Sequence, residues 1–291
     1  MEQKFIGCEE SFEEGDIILF GVPFDATSTY RRGSALAPRK IREESFGIET
    51  YSPYQDKDLE DILVCDIGDV EVGGNKDNLK SIEQMLYSVG VMTKRVLDAG
   101  KFPIMLGGEH LVSLGAFREV FAKYPDVCIV HFDAHTDLRE NWEGNPYNHS
   151  TVVRRCFDLV GGSSKQPRIF QFGIRSGERV EFEFSKQNCY LVKSSFSDGE
   201  KSLEKALKII GKGPVYFTID LDVLDPSEFG GTGTPEAGGV RFLELLDACK
   251  KVFGKTRVVG CDINELSPPF DSDGKSTALA CKLLREILLL I

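Results

Sequence analysis

The segment HFDAHTD, residues 131–137, sets two histidines and two aspartates within one short stretch, in a chain that has only 4 histidines in all. The residues just before it, DVCIVHF (126–132), form an apolar, β-branched run that predicts a buried strand. Buried His and Asp side chains are costly without partners, so a charge must compensate those that leave this strand. In extended backbone, residues two apart share a face, which lets Asp133, His135 and Asp137 converge on one side. Other strand-like runs end in the same way. FPIMLGG (102–108) leads into Glu109 and His110, PVYFTI (214–219) into Asp220 and Asp222, and TRVVGC (256–261) into Asp262 and then Glu265.

Six side chains are therefore candidate metal ligands: His110, Asp133, His135, Asp137, Asp220 and Asp222. Their four carboxylates would overcharge one small cation. With two imidazoles they suit two divalent ions that share carboxylates, and ions roughly 3.5–4 Å apart are the usual arrangement for metal-assisted hydrolysis. Oxygen-rich ligation selects Mn²⁺ or Mg²⁺ over thiolate-loving metals, and the imidazoles favour Mn²⁺. Taken singly, the Asp220–Asp222 pair could be a solvated turn and Gly107-Gly108-Glu109-His110 a capped helix start. His131 is in phase with the ligands but lies deeper in the strand, and is expected to be a hydrogen-bonded core histidine.

The elements that must position these residues alternate along the chain. Strands are expected at 16–22, 62–68, 102–108, 127–133, 168–174, 190–193, 214–222 and 256–263. Helices are expected at about 78–99, 109–123, 149–160, 202–210, 240–253 and 273–290. Several strand runs are apolar throughout, the pattern of a parallel sheet covered on both faces. The βα alternation predicts one domain, residues 1–291, of α/β class: a three-layer α/β/α sandwich on a mainly parallel eight-stranded sheet. A βα barrel is the alternative. In open parallel sheets ligands sit beyond the carboxyl ends of the strands, where the polar residues fall here.

Composition narrows the partners. The 291 residues carry a formal net charge of −11, which disfavours nucleic acid and anionic membranes as partners and is compatible with a small cationic substrate. The 8 cysteines form no CxxC pair and are expected to be reduced core residues of a cytoplasmic protein. The acidic start, MEQKFIGCEESFEEGD, has no apolar h-region of a secretory signal. The closing EILLLI is too short to span a bilayer.

In combination, GGEH (107–110), HFDAHTD (131–137), TIDLDVLDPSEFGGTGTPEAGG (218–239) and DINELSPPFD (262–271) resemble the signature blocks of the ureohydrolase family, the arginase and agmatinase group. GVPFDATSTYRRGSALAPRKIREES (21–45) and LRENWEGNPYNHSTVVRR (138–155) are similar to the agmatinase branch, and STALACKLLREIL also fits. The resemblance covers nearly the whole chain. It implies a homo-oligomer, usually a trimer or hexamer, with two Mn²⁺ per chain. One ion would be held by His110, Asp133, Asp137 and Asp220, the other by Asp133, His135, Asp220 and Asp222.

The chemistry implied is hydrolysis of a guanidino group by a metal-bridging hydroxide, most simply agmatine and water to putrescine and urea. Asp137 would orient the nucleophile, His149 would protonate the leaving amine, and Glu265 would hold the guanidinium edge through paired N–H bonds. Thr234 would add a polar contact to substrate. Where the family commonly has Gly after the loop histidine, this chain has Ser150. Without the resemblance, His149 could be a helix cap and Glu265 a strand-end carboxylate. The alternatives within the family are a guanidinobutyrase, an arginase or a formiminoglutamase. A single-metal zinc deacetylase of the same fold is opposed by the extra ligands His110 and His135, and a catalytically silent metal-binding protein by the intact six ligands with His149 and Glu265.

Overall fold

The computed structural model describes residues 3–291. Eight strands form one sheet: β1 (Ile17–Gly21), β2 (Val64–Asp69), β3 (Phe102–Leu106), β4 (Cys128–Phe132), β5 (Ile169–Ile174), β6 (Tyr190–Lys193), β7 (Pro214–Asp220) and β8 (Arg257–Asn264). Their spatial order is β2-β1-β3-β8-β7-β4-β5-β6, and every pairing between neighbours is parallel. The sheet is open, so the sandwich expectation holds and the barrel does not.

Continuous burial explains why these runs are strands. All 7 residues of β7 are buried, which only a strand covered on both faces requires. Alternate residues feed two cores. Val130, Phe132 and Phe217 pack on one face against α1 (Ala37–Glu44), α6 (Leu203–Ile210), α7 (Phe242–Lys255) and α8 (Lys275–Leu288). Ile129, Met105 and Tyr216 pack on the other against α2 (Leu79–Asp98), α3 (Ser113–Lys123) and α4 (Val152–Val160), with α5 (Arg179–Asn188) contributing Phe184. The Phe132 ring meets Phe172 and Phe217 edge-on, and burying one such ring stabilises the fold by roughly 1.5–3 kcal/mol.

Two helices were not expected from the sequence. The alternation VEFEF in α5 has strand period, and few of its residues are buried. In α1, only 8 residues long with Pro at its start, the apolar signal is too brief to register. All eight cysteines are free, as expected. Among the described residues no helix is long and apolar enough to cross a membrane.

Candidate metal centre and substrate pocket

The four strands that deliver polar residues are contiguous in the middle of the sheet, in the order β3-β8-β7-β4. Their carboxyl ends bring the six candidate ligands together. His110 Nδ1 lies 3.1 Å from Asp133 Oδ2, 3.2 Å from Asp137 Oδ2 and 3.6 Å from Asp220 Oδ2. His135 Nδ1 lies 2.9 Å from Asp222 Oδ2 and 3.6 Å from Asp133 Oδ1. Asp133 thus belongs to two groups of the spacing a metal needs, one with His110, His131 and Asp137, the other with His135 and Asp222, while Asp220 falls in neither. Asp220 sits between Asp222, whose N–H it accepts at 2.8 Å, and His110.

Backbone geometry serves this convergence. Asp137 (φ 50°) and Glu265 (φ 69°) are in the left-handed region, which costs a residue with a Cβ about 1–2 kcal/mol and recurs where function over-determines the backbone. Gly107 and Gly108 allow β3 to turn into His110. A Cβ on Gly108 would stand 2.0 Å from the Phe24 carbonyl oxygen, and one on Gly107 would stand 1.8 Å from Asn264 Oδ1.

The donor set fits divalent cations. His110 Nδ1 is buried with no hydrogen-bond partner, facing three carboxylates, while its Nε2 is engaged 2.8 Å from Thr218 Oγ1. Carboxylate oxygens this close repel unless a cation or protons intervene. Burial and the charges of Asp222 and Asp133 push the Asp220 carboxyl well above its ordinary range, and burial raises Asp222. Burial lowers His110 and His135, but the surrounding carboxylates outweigh it and both are raised.

Beside this cluster lies a second group. Glu265 Oε1 accepts the His110 backbone N–H at 2.8 Å and is 3.3 Å from His149 Nδ1. His149 Nε2 accepts the Thr29 N–H at 3.1 Å. Asn148, not His149, caps the following helical turn, so the histidine is free to face Glu265. Burial lowers the His149 pKa, but Glu265, with Glu109 and Asp137, outweighs it and holds the imidazole above its ordinary value. The Ser150 N–H and hydroxyl both donate to Asn148 Oδ1, at 3.0 and 2.7 Å.

Two further residues support the site, and the sequence reading gave neither of them a role. Glu109 is fully buried, accepts the Thr27 N–H at 2.9 Å and the Ser28 hydroxyl at 3.0 Å, and so fixes the loop that carries Thr29. Burial pushes its carboxyl up to about 8. Arg175 donates to the carbonyls of Asp222 (2.7 Å), Glu236 (2.8 Å) and Gly173 (3.0 Å), tying the turn after β7 to the loop that holds Thr234. The Glu109–Thr27 contact and the Arg175 contacts to Asp222 and Glu236 join segments far apart in the chain, so the local sequence does not reveal them.

A cavity of about 280 Å³ opens onto the cluster, with Asp137, His149, Asp220 and Thr234 in its walls and Trp142 and Glu178 also lining it. Thr234 Oγ1 is 3.5 Å from Asp222 Oδ2. Among the described residues Arg139 is the only Lys or Arg lining the cavity, and it is paired with Glu178 at 3.2 Å and Glu181 at 3.8 Å.

The sequence pattern of the arginase family matches residues 15–290. The agmatinase of Bacillus anthracis is 44% identical over 98% of this chain and 95% of its own length. The N(1)-aminopropylagmatine ureohydrolase of Thermococcus kodakarensis is 39% identical over 94% of this chain and 89% of its own. The solved structure of the agmatine ureohydrolase of Thermoplasma volcanium superposes with a TM-score of 0.85 at 35% identity, covering 99% of this chain and 94% of that one. With its sheet order, its converging strand ends and this match along nearly all of its length, the chain belongs to the arginase family.

Proposed function

We propose that this protein hydrolyses agmatine to putrescine and urea at a binuclear manganese centre. His110, Asp133, Asp137 and Asp220 would hold one ion, and Asp133, His135, Asp220 and Asp222 the other. The observation that carries the reading is the sharing of Asp133 between two His/Asp groups, directly beside the Glu265–His149 pair. When bound, the ions supply Lewis acidity and make a hydroxide nucleophile available near neutral pH.

The chain's own residues do the rest. Glu265 takes one edge of the planar guanidinium and sets its carbon over the cluster. Asp137 accepts a hydrogen bond from the attacking water and orients it. His149, held between Thr29 and Glu265, carries the proton that the departing amine needs, since an amide anion is a very poor leaving group. Thr234 contributes a polar contact at the wall.

The cavity favours a substrate cationic at both ends. Its one Arg is already paired with two glutamates, which leaves no free cation for a carboxylate tail, whereas Asp137, Glu178 and Asp220 make the walls anionic. Steady-state turnover with Mn²⁺ on agmatine, N(1)-aminopropylagmatine, arginine and 4-guanidinobutyrate tests this. Agmatine is expected to have the highest kcat/KM. Faster turnover of a guanidino acid would remove the assignment, and urea release from none of them would leave only a metal-binding protein. The protein is proposed to act in the cytoplasm as a homo-oligomer, to be checked by light scattering.

A further inference from the structure

Gln171 in β5 lies directly across the parallel ladder from His131 in β4, and both side chains are fully buried. The glutamine Nε2 is 2.7 Å from the Thr136 carbonyl oxygen and 3.0 Å from His131 Nδ1. A carbonyl oxygen can only accept, so the amide end beside Thr136 is the NH₂ group. Its second hydrogen is then given to His131 Nδ1, which must accept. The imidazole therefore carries its proton on Nε2, and that N–H donates to Asp133 Oδ2 at 2.8 Å. Every bond in this relay has one possible direction, from glutamine to aspartate. The carbonyl gripped at its start belongs to Thr136, which stands between His135 and Asp137.

We propose that Gln171 is a positioning residue for the metal centre, although it touches none of the candidate ligands' side chains. Through His131 it decides which ring nitrogen faces Asp133 and so fixes the carboxylate that both ligand groups share. Through Thr136 it holds the segment that carries His135 and Asp137. The same logic removes His131 from the ligand set, even though its ring nitrogen lies within ligand spacing of His110, Asp133 and Asp137. Hydrogen bonds to ligating carboxylates and imidazoles of this kind typically govern metal affinity by about 10–100-fold. The proposal rests on the metal-centre reading above.

Gln171→Met tests it by keeping an unbranched side chain and removing both donated bonds. Mn²⁺ dissociation constants of the purified full-length protein, wild type and variant, would be measured by chelator competition. The ¹⁵N shifts of His131 would be recorded on metal-free wild type. The expected results are an Nε2–H tautomer in the wild type and affinity weakened about 10–100-fold in the variant, with His131→Phe weakened at least as far. Mn²⁺ affinity in Gln171→Met within about twofold of wild type would overturn the proposal, judged against the range typical of such bonds. An Nδ1–H tautomer in the wild type would overturn it too, and needs no variant to fold. Wild type that binds no Mn²⁺ brings down the metal-centre reading itself, a different failure from tight binding that ignores Gln171.

Discussion

At the residue scale, the proposed function gives two neighbouring side chains separate tasks, one to hold the substrate and one to move a proton. Glu265 and His149 are 3.3 Å apart, yet their removal should look different. Glu265→Gln keeps the shape and deletes the charge that faces the guanidinium. A charge-assisted bond of this type is worth about 1.5–3 kcal/mol, or roughly 10–150-fold in kcat/KM, with KM raised. His149→Asn should instead lower kcat by about 10²–10⁴-fold and leave KM and metal content near wild type. Kinetics with metal analysis on both variants would check the division; a His149→Asn protein that loses its metal would mean the imidazole is a ligand and not a proton carrier. The left-handed backbone at Glu265 belongs to the same argument. It turns the side chain back over the cluster just where β8 ends.

At the scale of elements, the turn after β7 is only as firm as the contacts beneath it. Arg175 binds it through its fork of donors, and no other side chain can reach so many carbonyls in one plane. Arg175→Lys is expected to keep the charge but drop most of these bonds, weakening Mn²⁺ binding about tenfold by loosening the segment that carries Asp222. Isothermal titration of the metal-free variant measures this; wild-type affinity would show that the turn holds itself. The strands themselves were legible from the sequence, because a parallel sheet buried on both faces is written as unbroken apolar runs. The ligand types and their spacing were legible for the same reason, since each follows a strand end. Which strands are neighbours was not, because pairing between β3 and β8 or between β7 and β4 is a long-range choice with no local signature. The contacts made by Thr29, Glu109, Arg175 and Gln171 escaped notice on that account. Each acts on a segment far from its own, and α5 was missed because its charged, alternating face is set by solvent and not by a core.

At the scale of the whole molecule, protons and cations compete for one buried space. In the metal-free chain His110, His135 and His149 are raised above their ordinary value, burial being outweighed by carboxylates, and burial pushes Glu109 up to about 8. The folded state then holds more protons than the unfolded chain from about pH 6 to 8, between the ordinary histidine value and the raised value of Glu109, so stability falls as pH rises across that window. The raised histidines lose their contribution as pH climbs through their folded values, and Glu109 adds a penalty once the unfolded chain's glutamate ionises. Divalent cations displace those protons, so the Mn²⁺-loaded protein should melt higher and with a flatter pH dependence. Calorimetry in chelator and in Mn²⁺ would decide; a metal-free Tm that climbs from about pH 6 to 8 contradicts this coupling.

The sheet order has a consequence for how the protein is made. β3 and β4 follow one another in the chain, yet β8 and β7 lie between them. A ribosome that has released the first two hundred or so residues has delivered two separate half-sheets, β2-β1-β3 and β4-β5-β6, with His110 on one and Asp133, His135 and Asp137 on the other. The last two strands must wedge into the gap and bring Asp220, Asp222 and Glu265 with them. A chain stalled before β7 therefore lacks Asp220 and Asp222, and the candidate cage is incomplete until the last strands are in the sheet.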